Sequence, residues 1–382
     1  MRIGIDFTHN LGHSGIGTYS RELAKSMAVQ SPGDEIHILT RFKKAQLFAV
    51  TFESIANVQV REEFPNMMML GENLMPLTKK IRSAIWKRES RKNDVVHFTD
   101  PHPMYFCSGL PNAVSTIHDI IPLYNKAYSG IDPSKLKLFK THRIIRESRQ
   151  IIVPSNFVKD ELRSFLPESN GKISVIYEAA KSLYKKKMAD RSIIRLYGVH
   201  DDKPFYLYVG RIEKRKNMEK MLQAFRMMPE PLRRDTGFVL ICNGSEREVN
   251  DLHRLVDDLG LSGSVFHLQG VPDEHLVHFY NEALALLFVS FSEGFGLPLV
   301  EAMSCGCPSI ISNISSLPEV ANGSALLADP SSVEQISHCM CSIYEDSSLR
   351  DELSRKALNE VRRFSWDIAA RETLDVYRKA IQ

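Results

Sequence analysis

No stretch of the 382-residue sequence approaches the about 18 consecutive apolar residues that a membrane-spanning helix requires. The amino terminus, Met1-Arg-Ile-Gly-Ile-Asp-Phe7, lacks the basic segment and apolar run of a secretory signal and reads instead as a first strand. The six cysteines (Cys107, Cys242, Cys305, Cys307, Cys339, Cys341) form no C-x-x-C pair, and no Cys/His cluster has zinc-ligand spacing. A disulfide scaffold and a zinc finger are thereby excluded, and a reducing compartment is expected. A net charge of only +3 excludes a generally basic nucleic-acid coat. There is no P-loop G-x-x-x-x-G-K-[ST], no G-x-S-x-G nucleophile elbow, no low-complexity tract and no short tandem repeat. A soluble or peripheral cytoplasmic protein that binds no nucleic acid is the expectation.

What is present is ordinary globular material, with 43% hydrophobic and 25% charged residues in a length that suits two or three domains. The charge is polarised: residues 1–190 hold 28 Lys+Arg against 19 Asp+Glu, and the remainder is net acidic. Short β-branched runs alternate with helical patterns from end to end. Strands are predicted at Arg2–Phe7, Glu35–Leu39, Val95–Phe98, Val114–Ile117, Ile151–Pro154 and Ile173–Ile176. A second series follows at Phe205–Val209, Phe238–Cys242, Val265–Gln269, Ala285–Val289, Ser309–Ser312 and Ala325–Leu327. The intervening helices include Thr18–Val29, Ser134–Arg149, Met218–Met227, Glu246–Leu259 and Leu299–Ser304. This alternation means βαβ units and two mostly parallel, doubly wound sheets. The boundaries predicted are 1–185 and 200–365 for two Rossmann-like domains and 366–382 for a carboxy-terminal helix packing back on the first. The charged stretch Lys181–Lys203 reads as a linker. Such domain pairs hold ligands in the cleft that their strand ends face.

Four segments carry chemistry. Ser292-Glu-Gly-Phe-Gly-Leu-Pro-Leu-Val-Glu301 joins a strand, a glycine turn and a helix opened by Pro298. Gly294 and Gly296 let the backbone approach a ligand, and the helix start offers N–H groups to an anion. Glu293 and Glu301, which alone would read as surface carboxylates, therefore sit beside an anion site. Val209-Gly-Arg-Ile-Glu-Lys-Arg-Lys-Asn217 follows another strand, and its cations, Arg211 and Lys216 among them, suit a diphosphate. Ser14-Gly-Ile-Gly17 is a fragment of the dinucleotide fingerprint with Ser20 where its third glycine belongs, which disfavours a nicotinamide site. His118-Asp119 ends a strand, where the imidazole is either a satisfied core group, a proton carrier or a donor to a substrate hydroxyl.

Taken in order, these segments resemble the retaining glycosyltransferases of family 4, which have the GT-B fold. Glu293 and Glu301 match that family's E-x7-E pattern, Arg211 and Lys216 its diphosphate cations, and His118-Asp119 and Gly15–Gly17 its front-domain motifs. Val153-Pro-Ser-Asn156, Cys305-Gly-Cys-Pro308 and Ser315-Ser-Leu-Pro-Glu-Val320 also fit, so the resemblance covers nearly the whole chain. Cys305 and Cys307 depart from the small non-thiol residues frequent there. The resemblance implies an acceptor-binding first domain and a nucleotide-sugar-binding second one. It gives Glu293 the sugar hydroxyls and Glu301 the ribose, with Arg211 and Lys216 neutralising the departing diphosphate. It places Gly294, Phe295, Gly296 and Leu297 against sugar and phosphate. Gly15 and Gly17 close over the diphosphate, while Asn243, Gly244 and Val271 lie by the nucleotide. No metal or other cofactor is expected, because Arg and Lys supply the positive charge.

The region Phe295–Pro330 looks most like bacterial O-antigen and polysaccharide mannosyltransferases, which makes GDP-mannose the first donor expected and a glycan or polyprenyl-diphosphate-linked acceptor its counterpart. UDP-glucose, UDP-N-acetylhexosamine and dTDP-rhamnose remain alternatives, as does a nucleotide-sugar epimerase of the same fold. Finally, Leu77–Lys92 interleaves Ile81, Ile85 and Trp86 with seven cations, which predicts docking of the first domain on the anionic inner face of the plasma membrane.

Overall fold

The computed structural model describes residues 1–8, 15–41, 44, 51–53, 55–64, 75–100, 109–120, 142–199 and 203–382. They form two compact units, one made of the chain up to Glu178 together with Ser365–Gln382, the other of Ala179–Phe364.

In the first unit β1 (Arg2–Asp6), β2 (Glu35–Arg41), β3 (Val58–Phe64), β4 (Val95–Phe98), β5 (Ala113–Thr116), β6 (Gln150–Val153) and β7 (Ile173–Val175) build one sheet. Its order is β3-β2-β1-β4-β5-β6-β7 and every pairing is parallel. The second unit repeats the scheme with β8 (Phe205–Arg211), β9 (Gly237–Asn243), β10 (Val265–Leu268), β11 (Ala285–Phe288), β12 (Ser309–Ser312) and β13 (Leu326–Ala328). Here the parallel order is β10-β9-β8-β11-β12-β13. Both sheets are doubly wound, with the strand order reversing between the first and fourth strands, and such a switch point opens a crevice at the strands' carboxyl ends. β4, β5, β11 and β12 are buried throughout, as expected of strands covered on both faces.

β3 has no counterpart among the predicted strands. It is an edge strand, Val-Gln-Val-Arg-Glu-Glu-Phe, whose alternating polar residues and adjacent Glu62 and Glu63 weaken any apolar signal, and its register against β2 shifts at Thr40/Arg41. The predicted helix Ser134–Arg149 lies largely outside the described residues, as does Cys107. Burial pushes the Cys242 and Cys307 thiols up to about 12, so both stay protonated and behave as small apolar groups.

The stretch read as a linker is a charged strap on the Asp273–Glu282 helix within the second unit. Lys181 pairs with Asp273, and Tyr184 Oη donates to Asp273 Oδ1 at 2.7 Å. The Lys187 N–H donates to Asn281 Oδ1 at 2.8 Å, and Arg191 pairs with Glu282. Lys181 and Arg191 have fixed partners, where a composition reading assigns them to solvent.

In the first unit the Trp366–Ile381 helix packs on the Gly15–Gln30 helix. Ser26 Oγ donates to Asp367 Oδ1 at 2.7 Å, and the Tyr19 and Trp366 rings meet edge-on at 6.0 Å.

The Met75–Lys92 helix corrects the membrane expectation. Trp86 is 1% exposed and packs against Phe98 with ring centroids 4.6 Å apart, and Ile85 joins the same core. Two cations near its end have carboxylate partners: Arg88 donates to Glu89 at 3.0 Å and pairs with Glu63, and Lys92 reaches Glu89 at 2.9 Å. Of the three residues read as a lipid anchor, Ile85 and Trp86 are spent on the unit's own core and Ile81 remains exposed. Among the described residues no helix is long and apolar enough to cross a membrane. Trp86→Ala should therefore lower the unfolding free energy by about 3–5 kcal/mol, while Ile81→Ala should stay within about 0.5 kcal/mol. Urea midpoints of the two variants decide between core and surface roles; a silent Trp86→Ala would overturn the packing assignment.

Candidate active site

The polar groups of the second unit gather at the carboxyl ends of its strands. After β8 the chain runs through Ile212 and Glu213 into a single turn, Lys214–Lys216, and Asn217 then takes φ 62° to start the Met218–Met227 helix. Asn217 tolerates this left-handed conformation better than most residues. Its Nδ2 donates to the carbonyls of Val289 at 2.9 Å and Pro330 at 2.7 Å, joining the segments that follow β8, β11 and β13.

Against this turn lies the loop after β11. Glu293 is 6% exposed. Its Oε1 accepts from Lys216 Nζ at 2.6 Å and its Oε2 from Arg215 Nη1 at 3.0 Å. Arg215 Nη1 also donates to the Ser292 carbonyl at 3.1 Å, and Arg215 Nε faces Glu213 at 2.8 Å. Burial alone would raise the Glu293 carboxyl, but the Lys216 and Arg215 cations outweigh it and hold the group below its usual range. Lys216 also stands 5.0 Å over the Phe288 ring. Glu293 is a fixed anion.

Gly296 follows at φ 107° and precedes the Leu297–Ser304 helix, with Pro298 in its first turn. A Cβ here would come within 2.7 Å of Leu317 Cδ2, so both conformation and space demand glycine. Ser316 Oγ, from the segment after β12, donates to the carbonyls of Glu293 at 3.0 Å and Phe295 at 3.1 Å and fixes the turn's path. Phe295 is buried edge-on to Phe364 at 5.6 Å. Gly294 and Leu297 complete the same turn and helix entrance.

Glu301, about one turn into that helix, stands in a different environment. Tyr280 Oη donates to its Oε2 at 2.8 Å. Burial, with a smaller push from Asp273, drives this carboxyl up to about 8 against the pull of the Tyr280 hydrogen bond. The two glutamates of the motif are thus pushed in opposite directions by their surroundings. Arg211, at the end of β8, does not join the Glu293 cluster: it is exposed and faces Glu213 at 3.3 Å. Asn243, at the end of β9, accepts from the Gly270 N–H at 3.3 Å, one residue before Val271. A Cβ on Gly244 would press within 3.0 Å of Ile212.

In the first unit His118 lies just beyond β5, its ring edge-on to Tyr19 at 4.9 Å. Gly15 and Gly17 are not a loop before a helix at Thr18; the helix begins at Gly15, and Ser20 Oγ ties its first turn to the Ile16 carbonyl at 2.9 Å. Ser14 lies outside the described residues.

Sequence reasoning did not single out Arg215, Tyr280 or Glu178. Arg215 sits inside the recognised basic run, but spacing alone cannot rank neighbouring cations. Tyr280 occupies an ordinary apolar face of a helix, and Glu178 becomes a site neighbour only through the β6–β7 pairing.

The elevated Glu301 carboxyl has a measurable consequence. A group whose native pKa exceeds its unfolded value stabilises the fold fully below about 4.5 and progressively less as pH rises to about 8. Denaturant unfolding across that interval should show stability falling with pH, and Glu301→Gln should flatten the slope. An unchanged slope in that variant would remove Glu301 as its source.

Residues 190–360 match the family of glycosyl transferases group 1, and residues 13–180 match Glycosyltransferase Family 4. The O-antigen chain mannosyltransferase B of Escherichia coli is 29% identical over 96% of both chains. A D-inositol 3-phosphate glycosyltransferase of a Nocardioides species is 25% identical over 96% of this chain and 85% of its own. Among solved structures, a sucrose-phosphate synthase from Thermosynechococcus elongatus superposes with TM-score 0.80 at 18% identity, covering 99% and 98% of the two chains. The Anabaena protein HepE, solved with UDP and glucose, gives TM-score 0.76 at 17% identity over 98% of each chain. Two family models that together span most of the sequence, two sheets of matching topology and glycine-turned carboxylates at the strand ends agree: the chain is a family 4 glycosyltransferase of GT-B fold.

Proposed function

We propose that this enzyme is a retaining mannosyltransferase that takes mannose from GDP-mannose and places it on a hydroxyl of a glycan or polyprenyl-diphosphate-linked acceptor in cell-surface polysaccharide synthesis. The observation that carries the reading is the full-length likeness to the O-antigen chain mannosyltransferase, end to end in both chains. Glu293 receives the sugar: each of its oxygens already accepts one cationic donor and keeps a lone pair for a hydroxyl. Glu301 takes the ribose hydroxyls, and Asn243, Gly244 and Val271 line the nucleotide end. Gly15 and Gly17, in the first turn of their helix, close over the diphosphate. The acceptor belongs to the first unit, where His118 stands. Any association with an anionic membrane surface rests on charge, since Ile85 and Trp86 of the Met75–Lys92 helix are packed into the unit's own core.

The chemistry follows from charge. As the glycosidic bond breaks, negative charge grows on the β-phosphate oxygen, and cations fixed there bind the transition state more tightly than the ground state. Arg211, Lys214, Arg215 and Lys216 supply that field without a metal ion. Arg211 and Lys216 play unequal parts. Removing Lys216 leaves Glu293 Oε1 without its cationic partner and Arg215 as the remaining one, which harms the fold as well as the chemistry. Arg211 is exposed and is the cleaner probe.

A panel of radiolabelled nucleotide sugars tests the donor: turnover with GDP-mannose is expected, whereas preference for UDP-glucose, UDP-N-acetylhexosamine or dTDP-rhamnose, or conversion of the donor without acceptor, would overturn the proposal. Arg211→Ala should lower kcat by about 10²–10³-fold with a smaller change in donor KM. Activity should survive exhaustive chelation. An unchanged kcat, or Mg²⁺-reversible loss with EDTA, would show that charge is supplied otherwise.

A further inference from the structure

Two histidines stand near the carboxyl edge of the first sheet, and their partners set opposite requirements. His97, on β4, is fully buried between hydroxyls: Nδ1 lies 2.7 Å from Tyr377 Oη and Nε2 lies 2.8 Å from Thr116 Oγ1. A hydroxyl donates or accepts as needed, so a neutral ring satisfies both contacts. Burial holds His97 neutral, far down at about 3.

His118 has no such latitude. Nδ1 lies 3.0 Å from Glu178 Oε1 and Nε2 lies 2.9 Å from the Thr99 carbonyl oxygen. A carboxylate and a carbonyl are acceptors only, so both nitrogens must carry hydrogen to satisfy them. Thr99 cannot turn away: its Oγ1 donates to the Asp6 carbonyl at 3.0 Å and accepts from Ser20 Oγ at 2.8 Å. Glu178 is 4% exposed, too buried to exchange His118 for water cheaply.

We infer that Glu178 is a positioning residue that holds His118 as a doubly protonated imidazolium, so that His118 serves the acceptor-side chemistry as a fixed cation and not as a proton acceptor. With both N–H groups committed to protein oxygens, the ring has no lone pair for a substrate hydroxyl. Among the described residues, the charged and titratable groups that act on it are Glu178 beyond β7, Asp100 beyond β4, Tyr19 on the Gly15–Gln30 helix and His97 on β4. Burial works against the charge, but the Glu178 contact, the Thr99 carbonyl and Asp100 outweigh it and move His118 upward. His97 is the only cationic competitor among these neighbours, and its own hydroxyl partners allow it to stay neutral.

The inference concerns the state of one ring and does not depend on which nucleotide sugar the enzyme uses. Imidazole ¹⁵N NMR on the full-length chain tests it, with His118 signals assigned by their absence in His118→Gln. At about pH 6.5, where a free imidazole is half protonated, both His118 nitrogens should show the protonated shift, while His97 should show one bare nitrogen. Glu178→Gln keeps an oxygen acceptor and removes the charge, so the His118 midpoint should fall by about 1–3 pH units. The His97 signals report whether that variant remains folded. A bare nitrogen on wild-type His118 at this pH, or an unmoved midpoint in folded Glu178→Gln, would overturn the assignment. If the variant does not fold, the wild-type spectrum decides alone.

Discussion

The ion cluster of Glu293 with Lys216 and Arg215 is the constraint around which the second unit's strand ends are arranged. Burying these charges is costly, and well-packed apolar side chains would stabilise the fold at least as well. What the cluster supplies is position. It fixes the loop after β11 against the turn after β8, and Asn217 and Ser316 then bind the segments after β12 and β13 to the same point. Four chain segments that share no local sequence are locked around one carboxylate. An anion buried this way meets a ligand without reorganising, which is the condition for strong electrostatic action in a water-poor site.

Both units obey one rule of charge placement. Apolar residues dominate the strands, and carboxyl groups with displaced ionisation occur where the strands end. In the first unit Asp6, at the end of β1, is fully buried with its carboxyl driven up to about 7 by burial, and His118 lies beyond β5. In the second, Glu293 and Glu301 follow β11. Parallel sheets make this economical, because every strand delivers its carboxyl end to the same edge and every following helix starts there. Perturbed titration at such an edge marks function better than any one motif does.

How much of this could be read from the sequence depends on the range of the interaction. Signals such as strand, glycine turn and proline-opened helix are local, so the glutamate pair and the basic run are legible, and with them both sheets. Edge strand β3 is not, because a strand solvated on one side lacks the apolar continuity that exposes a central strand. Trp86 misled for the opposite reason: cations flanking an apolar face look alike whether that face meets lipid or its own core, and only Phe98, distant in sequence, decides. Tyr280 and Glu178 were invisible because each matters through a single partner, Glu301 and His118 respectively, that local spacing cannot supply.

The contrast between the two motif glutamates carries one step further. Glu293 is ionised because two cations face it; Glu301 is pushed toward the neutral acid because burial is answered only by the Tyr280 hydroxyl and a distant Lys181. On the proposed reading a ribose diol donates hydrogen bonds to Glu301, and a carboxylate accepts them more strongly than a carboxylic acid does. Donor binding then selects the ionised form and expels a proton. Donor affinity should therefore tighten as pH rises toward about 8, by up to about tenfold per unit below that value, and level off above it. Calorimetry of donor binding in buffers of different ionisation enthalpy reads the released proton directly. Glu301→Gln should bind more weakly and lose both the pH slope and the proton, and proton-neutral binding by the native enzyme at pH 7 would place the ribose elsewhere.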